Sequence, residues 1–348
     1  MKPPTDLSHK GRPVEEWIDL HFFRPVGIRI ARALQPTGIS ADQVTLWSLV
    51  TGLVAGHLFA YTDRWMNLTG FALLIVSDIF DSADGQLARL RGTSTRFGRA
   101  LDGINDNLRF VNLYFTLMYR LIHTGFWWPG ACLLVAAAGL AHTFQSAAVD
   151  FVRNAFLSIG VGDKGELDLP EDLDPMPRGT LLERFGARVY RDYVQRQAQL
   201  FPRSVKLIRA LRSGSVPESF RAEYRARQEV VLPLCPWMGQ NIRFLLVGVT
   251  GVAGYPSVYL WAEAVWMSLL LVVLLWIHEG NATALSGLLD TGRNAYARVS
   301  CAAALPRCRD RSGRHRAAVA SARAPRRRPA LADRGRCRRG QRARRARR

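Results

Sequence analysis

The sequence predicts an all-α integral membrane protein with six transmembrane helices, an N-terminal interfacial amphipathic helix and a cytoplasmic helical insert. Three observations favour this fold class. Apolar segments close to membrane length recur along the chain, positive charges collect in alternate connecting segments, and one long polar segment interrupts the apolar series. The hydrophobic content of 48% is compatible with one or two domains of this kind.

Residues 1–35 form the first predicted region, a cytoplasmic N-terminus. Its beginning is polar, and residues 14–34 mix aromatic side chains such as Trp17 and Phe22 with Arg24 and Arg29. This mixture is too charged to span a bilayer. It is typical of an amphipathic helix that lies at the cytoplasmic interface, with a soluble surface helix as the alternative.

The six predicted spans fall into two groups, residues 36–156 with four spans and residues 242–280 with two. A serine, Ser40, can cap the first of these helices. The predicted spans are Val44–Tyr61, Trp65–Val76, Leu101–His123, Trp128–Phe151, Ile242–Tyr255 and Tyr259–Ile277. The loops on one side are rich in Arg and those on the other are nearly free of it. The positive-inside rule therefore predicts that both termini lie in the cytoplasm, in a protein of the bacterial inner membrane.

The predicted cytoplasmic insert, residues 157–241, contains an acidic loop followed by helical material. A helical hairpin that covers the mouth of a membrane site is the favoured interpretation. Its Arg, Lys and aromatic residues leave open the binding of lipid headgroups or of a substrate.

The last predicted region, residues 281–348, is rich in Arg and is expected to be disordered because it has few large apolar residues. From Arg293 onward, 20 Arg and two acidic residues account for +18 of the net charge of +20. The rest of the chain is nearly neutral, so no nucleic-acid partner is expected; attraction to anionic membrane lipids is the functional alternative. The five cysteines lack metal-ligand spacing and predict no disulfide framework.

A motif of eight residues lies at the end of the second predicted span. It has the spacing D-x2-D-G-x2-A-R-x8-G-x3-D-x3-D and consists of Asp81, Asp84, Gly85, Ala88, Arg89, Gly98, Asp102 and Asp106. A single D-x-x-D pair is usually a solvated helix face. Eight residue types at fixed offsets beside apolar segments, where charges are costly, indicate a functional site instead.

The acidic residues of the motif are spaced for two helices. Asp81 and Asp84 share one face of a helix, and Asp102 and Asp106 share one face of the next. If the two helices are antiparallel neighbours, four carboxylates converge and need cations to neutralise them. Oxygen ligands favour Mg²⁺, Mn²⁺ or Ca²⁺ over zinc, and four carboxylates suit two divalent ions about 3.5 to 4 Å apart.

At all eight positions the motif resembles the signature of the CDP-alcohol phosphotransferases, membrane enzymes that transfer a substituted phosphate from a cytidine diphosphate donor to an alcohol. Ala41 and Asp42 stand where that family commonly has proline and asparagine. The resemblance implies an active site facing the cytoplasm, release of CMP and a homodimer. It further implies that two Mg²⁺ or Mn²⁺ ions bind the four aspartates, that Asp106 is the general base, and that the CDP site is shaped by Gly85, Ala88, Arg89 and Gly98.

Donor and acceptor are less well defined by the sequence. The favoured reaction transfers phosphatidyl from CDP-diacylglycerol to a small polar alcohol such as glycerol phosphate, an inositol compound or serine. In the runner-up reaction a CDP-amino alcohol, of choline or ethanolamine, donates its phospho-alcohol group to diacylglycerol and CMP leaves; a non-catalytic scaffold that binds anionic lipid is the third hypothesis. Polar residues near the end of the fourth span, His142, Gln145, Asp150 and Arg153, are candidates for acceptor binding.

One further pair follows from helix direction. Asp78 lies three residues before Asp81, and Arg109 lies three residues after Asp106, so each falls on the motif-bearing face of its helix. Because the two helices run in opposite directions, both residues should lie at one depth. We expect an Asp78–Arg109 salt bridge that forms the floor of the metal site and holds the two helices in register.

Overall fold

The computed structural model describes residues 14–93, 96–162, 167–174, 180–212, 214 and 216–304, and of residues 96–102, 182–183 and 290–304 it describes the backbone only. In these parts of the chain we find helices and no strand. The α-helices are α1 (Arg24–Leu34), α2 (Ala41–Leu58), α3 (Arg64–Arg91), α4 (Arg96–His123), α5 (Trp128–Ala155), α6 (Leu181–Leu200), α7 (Pro202–Arg212), α8 (Glu218–Gln228), α9 (Gln240–Val252), α10 (Pro256–Trp261) and α11 (Met267–Ala304). Single π-helical segments lie at Asp19–Phe23, Phe156–Val161 and Ala262–Trp266.

Each predicted span lies on a helix, and local sequence signals explain several of the helix ends. The predicted Ser40 cap of α2 is confirmed: Ser40 Oγ accepts from the amide of Gln43, whose side chain accepts in return from the Ser40 amide. Asp63 caps α3 by accepting from two backbone amides at 2.9 Å. Gly254, whose φ is +87°, lies in the turn that separates α9 from α10.

Three helical segments are long and apolar enough to cross a membrane, namely Arg64–Arg91, Trp128–Val161 and Pro256–Leu289. The bent pair Glu218–Gln228 and Leu232–Val252 adds a fourth if it is one span. The helices α2 and α4, which the sequence predicts as spans, do not qualify among the described residues by length and composition. Both carry several polar or charged residues, and those of α4 serve the site described below.

The chain divides into two units, Met1–Ala295 and Tyr296–Arg348. In the first unit, α3 packs against α1, α2 and α9, while α4 packs against α2, α5 and α6. Glycines allow several of these close approaches. A methyl group at Gly248 of α9 would overlap Phe71, and one at Gly70 of α3 would lie 2.9 Å from the carbonyl of Ala55.

The last helix extends past the predicted boundary at residue 280. It continues to Ala304 because its next turns still have partners: Ala282 and Leu285 are buried in an apolar cluster, and Asn281 donates to the carbonyl of Arg227. The boundary predicted for the disordered tail, residue 281, therefore lies too early in the chain, because the helix continues to Ala304. Residues 305–348, and residues 1–13 at the other end, lie outside the described part of the chain.

The N-terminal amphipathic segment is helical, as π-helix over Asp19–Phe23 and as α1. Phe23, Gly27 and Ala31 are buried on the side that meets α3, whereas Trp17 is 73% exposed. This two-sided character agrees with the predicted pattern. Placement at a membrane interface stays a prediction.

Arg91, in the last turn of α3, holds the turn that connects α1 to α2. Its guanidinium donates to the backbone carbonyls of Leu34, Gln35, Thr37 and Ile39 at 2.5 to 3.1 Å. These carbonyls lie at or just after the C-terminal end of α1, where no further helical turn supplies backbone donors. One side chain thereby fixes the orientation of α1 and α2 relative to α3.

We expect Arg91→Ala to lower the free energy of unfolding by about 2 kcal/mol, because charge-assisted hydrogen bonds to backbone carbonyls are lost together. The measurement is the thermal unfolding midpoint in detergent. Arg29→Ala, which removes an exposed arginine from α1, is the matched control. Equal midpoints for the two variants would contradict the assigned role of Arg91.

Candidate active site

The first half of the acidic motif lies on the continuous helix α3. Asp78, Asp81 and Asp84 follow at intervals of three residues and face one cavity. The helix ends seven residues later at Arg91, and the next residue, Gly92, has a φ of +68° that allows a left-handed cap. The membrane-length helix and the first motif half are therefore one rigid element.

The second half of the motif lies on α4. Asp106 faces the same cavity, and its side chain is 35% exposed. Gly98 and Asp102 lie on the first turns of α4, where the backbone is helical. The side chain of Asp102 lies outside the described part of the structure.

Arg109 of α4 connects the two motif halves. Only 2% exposed, it donates from Nη1 to Asp78 Oδ1 at 3.2 Å and from Nη2 to Asp81 Oδ1 at 3.2 Å. The same Nη2 donates to Asp106. The expected Asp78–Arg109 bridge is thus part of a larger arrangement, in which one guanidinium contacts three carboxylates from two helices.

The Arg109 side chain runs past helix α2 to reach α3, and a small residue of α2 leaves the space that it occupies. A methyl group at Gly52 of α2 would overlap the Arg109 side chain and would lie 2.8 Å from Ser77 Oγ. Ser77 Oγ also accepts from Arg109 at 2.9 Å. Ser48 and Ser77 exchange hydroxyl-to-carbonyl hydrogen bonds at 2.8 and 3.0 Å, which keeps α2 close to α3.

Two residues outside the motif orient its carboxylates. Thr45 of α2 donates to Asp84 Oδ2 at 2.5 Å, and Gln240 at the start of α9 donates to Asp78 Oδ1 at 2.7 Å. Our sequence analysis missed both. Thr45 could have been found from the sequence, because it follows shortly after Ala41 and Asp42 in the segment that resembles the start of the family's first membrane helix. Gln240 is 162 positions from its partner Asp78, and no local pattern indicates that contact.

Four of the described motif residues, Asp81, Asp84, Gly85 and Asp106, border a cavity of about 440 Å³. Its lining includes Asp78, Asp81, Asp84, Gly85, Asp106, His142, Arg153, Tyr193 and Gln240. Ala88 and Arg89 lie on the next turn of α3, outside this lining as described. A methyl group at Gly85 would lie 3.4 Å from Arg89 Nη1, so the two motif residues are neighbours.

The predicted acceptor residues are placed differently from one another. Arg153 lines the cavity and donates to Glu16 Oε1 at 2.8 Å. His142 also lines it, with Nδ1 3.2 Å from the hydroxyl of Tyr114. Gln145 is fully buried and lies outside the described cavity lining, because its amide bonds the carbonyl of Glu263 and accepts from Arg243.

Behind the cavity lies a buried ion pair. Arg243 Nε donates to Glu263 Oε1 at 2.8 Å, and both side chains are at most 2% exposed. This pair joins α9 to the π-helical segment Ala262–Trp266. Buried charges of this kind require a partner, and since Arg243 also lines the cavity, the pair fixes part of the cavity wall.

The N-terminal segment closes another side of the cavity. Asn241 donates to Glu16 Oε2 at 2.8 Å and to Asp19 Oδ1 at 3.0 Å. Burial raises the pKa of Asp19 above its usual value, although the hydrogen bond from Asn241 opposes this shift. The segment is therefore anchored to the start of α9 by polar contacts at the cavity edge.

The donor set fits a hard divalent cation in kind. Asp81, Asp84 and Asp106 offer only carboxylate oxygens, and α4 carries Asp102 one turn before Asp106. Among the side chains that the structure describes, no three acidic, His or Cys residues are grouped tightly enough to hold a metal as they stand. A metal site would need Asp102 and a changed contact between Arg109 and the carboxylates.

Comparisons with known proteins match this chain to one family of enzymes. The family model described as CDP-alcohol phosphatidyltransferase matches residues 39–155. A phosphatidylinositol phosphate synthase of Mycobacteroides abscessus is 30% identical over 159 residues, 43% of this chain and 66% of that protein. A CDP-diacylglycerol–serine O-phosphatidyltransferase of Methanocaldococcus jannaschii is 40% identical over 70 residues, 20% of this chain and 30% of that protein.

A third relative, an archaetidylinositol phosphate synthase of Pyrococcus horikoshii, is 26% identical over 139 residues, 40% of this chain and 70% of that protein. The chain spans 30% and 66% of the length of the first two relatives. The matched region contains the whole eight-residue motif and the helices that carry it. Through residues 39–155 the chain, an integral membrane protein with several apolar helices, belongs to the CDP-alcohol phosphatidyltransferase family.

Proposed function

We propose that the protein is an enzyme of phospholipid biosynthesis that transfers a phosphatidyl group from CDP-diacylglycerol to the hydroxyl of a small polar alcohol and releases CMP. One observation carries this proposal: the described carboxylates of the family motif, those of Asp81, Asp84 and Asp106, line a single cavity, where Arg109 and Thr45 bind them. Buried acidic residues in a membrane helix are costly and are seldom kept without a function.

In the proposed reaction the acceptor oxygen forms a bond to the phosphorus that carries diacylglycerol. The bond from that phosphorus to the oxygen of CMP breaks, and the hydroxyl proton moves to Asp106. This residue suits the role of general base because its carboxylate is partly exposed in the cavity, whereas Asp78 and Asp84 are buried. Gly85, Ala88, Arg89 and Gly98 would shape the site of the cytidine nucleotide.

We further propose that Asp81, Asp84, Asp102 and Asp106 hold two divalent cations, Mg²⁺ or Mn²⁺. Such ions supply charge neutralisation at the phosphates and lower the pKa of a bound hydroxyl. Asp78 and Arg109 would then form the floor of this site.

Transfer should therefore stop in excess EDTA and return when Mg²⁺ or Mn²⁺ is added, whereas Zn²⁺ should restore little because the ligands are all oxygens. CMP release by the purified protein is the measurement. Ca²⁺ is also a hard cation but accepts a different coordination geometry. The same assay with Ca²⁺ therefore tests whether neutralising the carboxylate charges is enough to restore CMP release. Undiminished turnover in excess chelator would contradict metal dependence.

The choice of a small polar acceptor draws on the relatives and on the cavity. The names of the relatives refer to serine and inositol phosphate, and the cavity lining includes Arg24, Arg153 and Asn241. Membranes incubated with radiolabelled CDP-diacylglycerol and glycerol phosphate, inositol phosphate, inositol or serine should yield one dominant new lipid. Product formed only from CDP-choline or CDP-ethanolamine with diacylglycerol would favour the runner-up reaction.

The proposed setting is the bacterial inner membrane, with six spans, both termini and the motif on the cytoplasmic side, and a homodimer as the assembly. The asymmetric distribution of Arg among the loops supports this orientation. Alkaline phosphatase fused at Gly125 should be active, and the same reporter fused at Gly214 of the insert should be silent. The reverse result would overturn the orientation, and a monomer mass in detergent would overturn the dimer.

A further inference from the structure

The polar insert contributes a wall to the active-site cavity through helix α6. Tyr190, Tyr193, Val194 and Gln197 follow at intervals of three and four residues and therefore lie on one face of this helix. All four line the cavity that the motif carboxylates border. The α6 face thus shares one cavity with the described motif carboxylates of α3 and α4.

Direct hydrogen bonds hold this face in place. The hydroxyl of Tyr193 donates to Asp150 on α5, and Gln197 Nε2 donates to the carbonyl of Ala147, also on α5, at 3.2 Å. Tyr190 donates to Asp168 Oδ2 at 2.8 Å. Val194, 2% exposed, fills the space between these contacts.

Tyr193 is suited to act as a fixed hydrogen-bond acceptor, because its single hydroxyl proton is donated to Asp150 and the lone pairs of its oxygen remain for a ligand. Burial raises the pKa of its phenol well above the usual value, and the nearby carboxylate of Asp150 raises the pKa further. The phenol therefore keeps its proton throughout the physiological range. Together the pair forms a rigid polar element at the cavity wall.

We propose that α6 forms the acceptor side of the cavity and that Tyr193, held by Asp150, is a specificity-determining residue that admits small polar alcohols. This inference rests on the proposed function. The donor carries two acyl chains and must approach from the bilayer, whereas α6 belongs to a polar insert. The α6 wall therefore faces the water-soluble substrate.

The chemistry of the wall favours a polar acceptor over a diacylglycerol. It presents two phenols and an amide, and Arg196 on the same helix also lines the cavity. The Nε atom of Arg196 is buried and has no hydrogen-bond partner in the described part of the chain. An alcohol with several hydroxyl groups or a negative charge could pair with Arg196 Nε, whereas an acyl chain would leave this buried donor unpaired.

The test compares Tyr193→Phe and Tyr193→Ala with Tyr224→Phe in the full-length protein. Tyr224 is a buried tyrosine of the same insert that lies outside the described cavity lining, and its hydroxyl has no described partner. We expect Tyr193→Phe to raise the acceptor KM about five- to tenfold, the effect of one lost hydrogen bond. The KM for CDP-diacylglycerol should stay within about twofold, and Tyr224→Phe should match the wild type.

Tyr193→Ala widens the cavity. With glycerol phosphate, serine and inositol phosphate as probes, its ratios of kcat/KM should shift toward inositol phosphate, the largest of the three. A kcat loss with unchanged acceptor KM, or equal rises in donor and acceptor KM, would overturn the inference. Wild-type protein that releases no CMP with any probe would instead overturn the proposed function, on which the inference rests.

Discussion

Replacing Asp106 by Asn should reduce phosphatidyl transfer by about 10² to 10⁴-fold, the usual contribution of a general base. The amide keeps the size of the side chain but cannot take the hydroxyl proton. Its oxygen would still accept a hydrogen bond from Arg109, the partner of Asp106 in the structure. Binding of the CDP donor should therefore change little.

Two measurements on the purified variant are needed, the rate of CMP release and the affinity for the donor by equilibrium binding. Asp174→Asn is the matched control, because Asp174 is an exposed acid of the insert that pairs with Arg191 at the surface. Near-normal turnover in Asp106→Asn would remove this residue from the base role. A parallel loss of donor binding would assign Asp106 to substrate binding.

Replacing Arg109 by Gln should be the most destabilising change at the site. Arg109 is 2% exposed and contacts Asp78, Asp81 and Asp106, so its loss leaves the buried carboxylate of Asp78 and two partly exposed carboxylates without their cation. Breaking a buried pair in this way costs about 3 to 5 kcal/mol. Asp78→Asn should cost much less, because Arg109 keeps two carboxylates and Gln240 can still donate to the new amide oxygen.

Combining the two changes tests whether Asp78 and Arg109 interact. Asp78→Asn should recover part of the stability lost in Arg109→Gln, with a coupling of about 0.5 to 3 kcal/mol. Recovery will be incomplete because Asp81 and Asp106 remain. Thermal unfolding in detergent and CMP release are the two readouts.

Arg120→Gln is the control on the same helix. Arg120 is equally buried but donates to neutral groups, the side chain of Asn67 and the carbonyls of Phe59 and Gly251. It should lose less stability than Arg109→Gln and gain nothing from Asp78→Asn. Strictly additive losses in the Asp78 and Arg109 cycle would contradict the pairing.

Local patterns in the sequence predicted much of the fold. Apolar length predicted the helices, the Ser40 cap predicted the start of α2, and a three-residue spacing placed Asp78 and Arg109 opposite each other. Helix periodicity is a short-range property, so these features are legible in a single sequence. The number of membrane spans is harder to predict from the sequence, because α4 carries charged residues of the site and these lower its mean hydropathy.

Contacts between distant segments could not be predicted. The carboxylate of Asp78 meets Gln240, Arg153 meets Glu16, and Tyr193 meets Asp150, over separations of 162, 137 and 43 residues. No periodicity links such positions. The sequence likewise placed Gln145 beside the acceptor, whereas the amide serves the buried pair of Arg243 and Glu263 because those charges need hydrogen-bond partners.

The most direct test of the central claim is CMP release by the purified full-length protein from CDP-diacylglycerol, with and without a polar alcohol acceptor. If the protein is the proposed transferase, CMP and one new phospholipid form in equal amounts, only with acceptor and divalent cation, and Asp106→Asn forms neither. A protein that binds anionic vesicles but releases no CMP under any of these conditions would contradict the claim and favour a non-catalytic membrane scaffold.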